Sequence, residues 1–194
     1  MERSENVGWG DVVTSPPPDD AHAVRIIDLP ALGEVKASSR PMPVHSAGIL
    51  LYRRRKGVTE VFLVHPGGPF WTKRDAGAWS VPKGLVDPHE DLLAAARREF
   101  TEETGFTAKG DFEELGTFRL PSGKRLSVWA VEGDCVPEKL KSNLFEMAWP
   151  PKSKSMRSFP EIDRGGWFAR EEALTKIVNG QRPMLEAFFT RAKT

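Results

Sequence analysis

The segment that most constrains this chain is Gly84–Phe106, with the sequence GLVDPHEDLLAAARREFTEETGF. Its residues from Glu90 to Thr104 are rich in Ala, Leu, Arg and Glu, which are good helix formers. Pro88 is tolerated near a helix start, and Gly105 is a natural helix stop. The segment therefore predicts a strand–loop–helix unit whose helix runs from Glu90 to Thr104.

Three carboxylates gather near the end of this predicted helix. Glu99 lies one turn before Glu102 and Glu103, and residues three and four apart share a helix face. Like charges at this spacing destabilise a helix, so the cluster is either a solvated acidic face or a site that holds a divalent cation. Hard oxygen ligands in this number suit Mg²⁺ or Mn²⁺, which complete their coordination with waters and substrate phosphates. The glycines that flank the cluster and the arginines within it favour the cation site.

The same segment resembles the Nudix box at every fixed position. Gly84 is followed after five residues by Glu90, and after seven more by Arg98-Glu99-Phe100-Thr101-Glu102-Glu103-Thr104-Gly105-Phe106. A match to this many positions is far more specific than a lone glycine motif. The resemblance implies the Nudix fold, an α/β fold in which a mixed β-sheet is sandwiched between helices (an α/β/α sandwich). It also implies a hydrolase that cleaves a nucleoside diphosphate linked to another group X and uses a divalent metal.

The resemblance also implies roles for the charged residues of the box. Glu99 and Glu103 are expected as direct metal ligands, and Glu102 as a ligand or as the base that activates water. Nudix enzymes differ in which glutamate is the base, so this assignment stays open. Arg98 is expected to orient a box carboxylate. Glu90 either braces the loop or places a favourable charge at a helix N-terminus.

Further candidate residues lie around these carboxylates. Gly84 and Gly105 are interpreted as backbone requirements, the first for a tight turn or a close approach and the second for a helix stop. Lys83 either contacts a substrate phosphate or is a solvated lysine. Glu161, six residues before Trp167, resembles a glutamate near the metal site in relatives, and is otherwise an ordinary loop acid.

Several aromatic side chains could stack on a nucleobase or could simply pack within the domain. These candidates are Trp71, Trp79, Trp129 and Tyr52. The spacing of His65 and His89 suits no metal site, so both histidines are expected to be structural.

The chain is expected to consist of an N-terminal segment, 1–44, and a hydrolase domain, 45–194. The first contains three consecutive prolines at 16–18 and scattered Ser and Gly, and is predicted to be flexible or extended. It is either a mobile extension or a segment that lies on the domain surface or contributes to a dimer. The second is predicted to contain loop at 67–79 and irregular structure at 140–163. Its other predicted elements are strands at 46–54 and 60–66 with Lys56-Gly57 at the bend, a hairpin around Pro121–Gly123, a short strand at 165–168, and helices at 169–178 and 183–192.

The residues just before the box, Trp-Ser-Val-Pro-Lys-Gly at 79–84, are similar to those of the diadenosine tetraphosphate hydrolase branch and its bacterial relatives. This likeness predicts a metal-dependent pyrophosphohydrolase that acts on a dinucleoside polyphosphate or a nucleoside triphosphate. The alternatives are a nucleotide-sugar pyrophosphatase of the ADP-ribose type and a non-catalytic Nudix regulator that binds a nucleotide. The second alternative is disfavoured because the box keeps all of its glutamates.

Composition bounds the partners and the compartment. A net charge of +1 gives no support to a polyanionic nucleic acid or a membrane surface as partner. The single cysteine, Cys135, excludes an internal disulfide and fits a reducing compartment. No apolar run approaches the roughly 20 residues of a membrane span, and the N-terminus lacks the pattern of a signal peptide. We therefore expect a cytoplasmic enzyme with a small nucleotide substrate, and the sequence does not predict its oligomeric state.

Overall fold

The structure, a computed structural model, describes residues 44–192. This part of the chain contains eight strands and three helices. The strands are β1 (His45–Arg55), β2 (Val58–Pro66), β3 (Lys83–Leu85), β4 (Glu113–Arg119), β5 (Arg125–Glu132), β6 (Leu144–Ala148), β7 (Met156–Pro160) and β8 (Ile162–Ala169). The helices are α1 (Leu92–Thr104), α2 (Arg170–Lys176) and α3 (Arg182–Arg191). Short 3₁₀ turns span Pro137–Lys139 and Asn179–Gln181.

The main sheet is mixed, with strand order β4-β5-β1-β2-β8. β1 and β5 run parallel, whereas the other pairs along this order are antiparallel. The first half of β1 also pairs with the short strand β3, through Ser46, Ala47 and Gly48. This pairing places the residues that precede α1 at the edge of the sheet.

The two faces of the sheet carry separate hydrophobic cores, as the alternation along β1 shows. Ile49 packs on the face covered by α1, together with Ala96 and Phe100. The next residue, Leu50, points to the opposite face and joins the core beneath α2 and α3. Successive strand residues face opposite sides, so a strand covered on both faces is apolar at nearly every position. The helix–sheet–helix arrangement confirms the predicted α/β/α sandwich.

Several predicted elements are present with shifted ends. The bend between β1 and β2 falls at Lys56 and Gly57, which have φ of 50° and 79°. Positive φ at both positions matches the turn that best joins two twisted antiparallel strands. The predicted strand at 165–168 is the second half of the longer β8. The box helix begins at Leu92 rather than at Glu90, because Asp91 is its N-cap and accepts a hydrogen bond from the Ala94 backbone N–H.

The prediction of irregular structure over 140–163 is wrong for much of this segment. β6 and β7 form a separate two-stranded antiparallel sheet, in which Phe145 is opposite Phe159 and Met147 is opposite Arg157. The polar and proline-rich residues belong to the connection between the two strands, which contains a cis peptide bond between Trp149 and Pro150.

Two further expectations concern the N-terminal segment and the absence of a membrane span. The predicted N-terminal segment, apart from Val44, lies outside the described residues, and the domain boundary after residue 44 stays a prediction. Within residues 44–192, none of the helices is both long enough and apolar enough to cross a membrane.

We predict that Phe62→Ala destabilises the domain by about 3–5 kcal/mol, because it removes a large, fully buried ring. The Phe62 ring lies between Phe106 and Trp167, with centroid distances of 6.3 and 5.4 Å. Urea denaturation measures the loss. Val136→Ala is the control, since this side chain is 49% exposed and its truncation should change stability by less than about 0.5 kcal/mol. Equal effects of the two substitutions would contradict the assignment of this core.

Candidate active site

The helix α1 is fixed at both ends by its own sequence. Asp91 caps the N-terminus, and Gly105 ends the helix in the left-handed conformation, with φ of 71°. The Gly105 backbone N–H donates to the Thr101 carbonyl, as in a common helix C-cap. The predicted role of Gly105 as a helix stop therefore matches its backbone geometry.

Gly84 allows α1 to approach β3 closely. A Cβ atom at this position would overlap the carboxylate of Glu99. The Glu99 side chain therefore lies directly against the backbone of β3, which any larger residue at 84 would prevent. This close approach is the reason for a glycine here, because the φ of Gly84 is not in the left-handed region.

The guanidinium group of Arg98 connects the box carboxylates. It donates to both oxygens of Glu90 at 3.0 and 2.9 Å, to Glu99 at 2.8 Å and to Glu102 at 3.3 Å. It also donates to the carbonyl oxygen of Leu85 in β3 at 3.0 Å. Planar, bidentate pairing of this kind suits arginine and fixes the orientation of the carboxylates.

These contacts shift the pKa values of both Glu90 and Arg98. The hydrogen bonds from Arg98, together with one from the Asp87 backbone N–H, lower the pKa of Glu90 to about 2. The hydrogen bonds to Glu90, followed by those to Glu99, raise the pKa of Arg98 above its usual value. Glu90 therefore stays ionised and connects Arg98 of α1 to the loop at Asp87. These contacts agree with a bracing role for Glu90, which stays a prediction.

Glu103 is the carboxylate whose environment disfavours its charge most strongly. Burial raises its pKa to about 7, and the negative charges of Glu99 and Glu161 act in the same direction. The positive charge of Lys83 and a hydrogen bond from the Lys83 backbone N–H, at 2.9 Å, oppose the increase. Glu99 and Glu161 thus lie close enough to Glu103 to disfavour its charge, and Lys83 lies close enough to favour it.

The structure brings some predicted site residues together and leaves others apart. Glu161 lies between β7 and β8 and is exposed. Glu102 contacts Arg98 but points outward, since its side chain is 43% exposed. Glu102 and Glu99 accept hydrogen bonds from the same Arg98 Nη1, so they are neighbours, and Glu99 and Glu103 are the less exposed side chains.

The aromatic candidates for base stacking do not line this site. Trp79 is buried in the core beneath α2, where its ring packs on Phe168 at 4.9 Å and its Nε1 donates to Asp75. It has no exposed face for a nucleobase, so we withdraw that interpretation. Tyr52 packs on Phe188 at 5.0 Å, on the opposite face of the sheet from α1.

The other two tryptophan candidates also pack within the domain. Trp71 is half-buried against the core under α2 and α3, and the guanidinium of Arg74 lies 5.3 Å from its ring. Trp129 is buried on the α1 face.

The carboxylates fit a divalent cation by the chemistry of their oxygens. Within residues 44–192, no hydrogen bond occupies Oε2 of Glu99 or Oε1 of Glu103. In the same part of the chain, no three His, Cys, Asp or Glu side chains form a ready-made metal cage. Mg²⁺ does not need such a cage, because it keeps several waters and binds through one or two carboxylates and the substrate phosphates.

Sequence analysis missed a second group of aromatic residues near Glu161. Phe145, Phe159 and Trp149 come from the β6–β7 hairpin, and Phe70 comes from the loop after β2. The segment Leu-Phe-Glu-Met-Ala-Trp at 144–149 places large apolar residues at every second position, Phe145, Met147 and Trp149, which favours a strand. The neighbouring prolines and lysines obscured it.

Comparisons with known proteins agree with this architecture. The family model described as "NUDIX domain" matches residues 42–188. The chain is 32% identical over 147 residues to the "uncharacterized 17.7 kDa protein in e-segB intergenic region" of Enterobacteria phage T4, covering 71% of this chain and 95% of that protein. It is 28% identical over 140 residues to the RNA pyrophosphohydrolase of Escherichia coli (strain HS), covering 68% of this chain and 77% of the relative.

Among solved structures, a binary complex of the C. elegans Ap4A hydrolase superposes with a TM-score of 0.54. The two sequences are 22% identical, and the match covers 76% of this chain and 98% of the other. At this identity the likeness concerns the fold alone.

We predict that the pKa of Glu103 makes stability depend on pH in metal-free buffer. The folded-state pKa of about 7 exceeds the ordinary value of 4.5. The favourable contribution of Glu103 to the free energy of unfolding is therefore fully present below pH 4.5 and is lost as the pH rises through 7. Glu103→Gln keeps the shape but cannot ionise, so relative to wild type it should gain about 1–3 kcal/mol between pH 4.5 and pH 8.

Urea denaturation with EDTA at several pH values measures this difference. Glu102→Gln is the matched control, because its carboxylate is more exposed and its neutralisation should give a smaller pH-dependent change. A difference between Glu103→Gln and wild type that stays constant with pH would refute the assigned burial effect.

Proposed function

This chain belongs to the Nudix hydrolase family, and we propose that it is a metal-dependent pyrophosphohydrolase acting on dinucleoside polyphosphates or nucleoside triphosphates. The observation that carries the proposal is that Glu99 and Glu103 both lie against β3: Glu99 lies on the backbone of Gly84, and Glu103 accepts a hydrogen bond from the Lys83 backbone N–H, with Arg98 holding Glu99 in place. Such a group of carboxylates is unfavourable without a cation, so the arrangement favours a role in binding one.

We infer Mg²⁺ as the cofactor, with Mn²⁺ as the alternative, and Glu99 and Glu103 as the residues that hold it. Nudix proteins generally use divalent metal ions. When bound, the cation neutralises phosphate charge and lowers the pKa of a coordinated water. Glu161, which influences the charge of Glu103, is proposed as a further ligand, direct or through water.

The surrounding residues are proposed to position these groups during hydrolysis. Arg98 keeps one oxygen of Glu99 occupied and leaves the other free. Lys83 lies near Glu103, where its ammonium group could pair with a substrate phosphate. Water attacks phosphorus, the bridging P–O bond breaks, and a carboxylate accepts the proton of the water. Glu102 or another box glutamate takes this last role.

A second candidate function is hydrolysis of the 5′-triphosphate end of RNA. The observation that favours it is the similarity to an Escherichia coli protein named RNA pyrophosphohydrolase. The tip of the β6–β7 hairpin exposes Lys152 and Lys154, and β7 exposes Arg157. These basic side chains could contact phosphates of a polynucleotide. Nucleotide-sugar hydrolysis and nucleotide binding without turnover stay as further alternatives. A cytoplasmic location stays a prediction.

We predict that Glu103→Gln lowers kcat/KM at least about 100-fold on the best substrate, because the neutral amide cannot supply an anionic ligand. The assay measures products released with Mg²⁺, Mn²⁺ or EDTA from diadenosine tetraphosphate, nucleoside triphosphates, ADP-ribose and 5′-triphosphate RNA. Glu113→Gln in β4 is the control, since its side chain is 66% exposed and lies outside the box.

Full activity of Glu103→Gln, or wild-type activity that persists in EDTA, would show that the proposed site is wrong. Nucleotide binding by calorimetry with no turnover under any metal would instead support the regulator.

A further inference from the structure

The β6–β7 hairpin presents one face as a row of aromatic and basic side chains. Because strand residues alternate between faces, Phe145, Met147 and Trp149 share a side. The register places Phe159 opposite Phe145 and Arg157 opposite Met147, so these residues lie on the same side. The other side carries Leu144 and Met156, which are 68% and 58% exposed.

The aromatic row faces the loop after β2. A Cβ atom at Gly68 would lie 3.1 Å from the Phe145 ring, so this ring covers the loop backbone. At the tip of the hairpin, the Phe70 and Trp149 rings meet edge to face, with centroids 5.3 Å apart and an interplanar angle of 88°. Phe70 is 58% exposed. The pair therefore offers open aromatic surface between two elements.

The same row leads to the proposed catalytic carboxylates. The Glu161 backbone N–H donates to the Asn143 carbonyl at 2.9 Å, which extends the hairpin ladder by one pair. Trp149 is six residues beyond Asn143, or roughly 20 Å at the usual rise of a strand. A second nucleoside joined through a polyphosphate chain can span such a separation, and Arg157 lies between the two ends.

The loop that carries Phe70 is held in place at both ends. The Gly67 backbone N–H donates to the Glu161 carbonyl at 2.8 Å, which joins the start of the loop to the acidic end of the row. At its other end, Nε2 of the fully buried His65 donates to the Arg74 carbonyl, also at 2.8 Å. Nδ1 of His65 contacts Asp163. Phe70 is thus an exposed aromatic residue on an ordered loop, which is the property of a preformed stacking surface.

We propose that Phe70 and Trp149 bind the distal nucleobase of a dinucleoside polyphosphate, with Arg157 contacting the phosphate chain between that base and the carboxylates. This subsite rests on the proposed pyrophosphohydrolase function and gives it a preference for two-nucleoside substrates. The exposed ring of Phe70 and the partly exposed ring of Trp149 supply the stacking surface, and the basic residues of the hairpin complement the polyphosphate charge. A mononucleotide bound at the carboxylates lacks the second base and leaves the pair unused.

The test compares diadenosine tetraphosphate with adenosine 5′-tetraphosphate, which has the same number of phosphates and one nucleoside. For the full chain with Mg²⁺, Trp149→Ala and Phe70→Ala should raise KM for the dinucleoside substrate about 5- to 100-fold. The loss with the single-nucleoside substrate should be at least about 5-fold smaller. Trp149→Phe should restore most of the preference, because it keeps an aromatic face.

Leu144→Ala is the matched control, an exposed apolar residue on the other side of the same hairpin. Its kinetic constants should equal those of wild type. Equal losses on both substrates, or losses confined to kcat, would overturn the proposal, as would an unchanged KM in both aromatic variants.

Failure of the proposed function gives a different result. In that case wild type hydrolyses neither substrate, and Glu103→Gln resembles wild type. The subsite is then tested by calorimetry with diadenosine tetraphosphate, and binding that Trp149→Ala does not weaken overturns it.

Discussion

The arrangement of the Nudix box depends on one positively charged side chain, the guanidinium group of Arg98. It reaches three carboxylates of α1 and its preceding loop, and it also donates to the carbonyl of Leu85 in β3. These contacts fasten the helix to the strand and offset the repulsion among the glutamates. Gly84 completes the contact, because the missing side chain allows Glu99 to lie on the strand backbone.

Charge in this site is distributed unevenly between neighbouring glutamates. Glu90 is stabilised as an anion by Arg98, whereas burial disfavours the anionic form of Glu103. The two residues share a sequence segment and a side-chain chemistry, so environment alone separates them. A carboxylate whose pKa is raised by burial is suited to binding a cation. A carboxylate that stays ionised is suited to a structural ion pair that holds the loop. The pKa values thus agree with the proposed roles, in which Glu103 binds the metal and Glu90 supports the loop.

Local pattern predicted individual elements and the spacing of the acidic residues, whereas the α/β/α sandwich and the roles of those residues followed from the resemblance to the Nudix box. The helix propensity of 90–104, the spacing of Glu99 and Glu103, and the turn at Lys56-Gly57 are determined by near neighbours in the chain. The position of Trp79 could not be predicted, because the same indole could stack on a ligand or pack under α2. The β6–β7 hairpin was missed because its connection, rich in Pro and Lys, dominated its composition. The proximity of Phe70 to Trp149 depends on a tertiary contact that no short window contains.

The parallel pairing of β1 with β5 has a consequence for how the enzyme assembles. His45 is paired with Arg125, about 80 positions later, and α1 lies within the segment enclosed by this pairing. Closing so long a loop is slow compared with local hairpin formation, so the β1–β2 hairpin is expected to form before the central sheet. Glu161 comes later still, and β8 must pair with β2 to fix its place. During synthesis, a ribosome-bound chain that has completed the box therefore still lacks Glu161 and the β6–β7 hairpin, the two elements proposed above to contact the metal and the substrate.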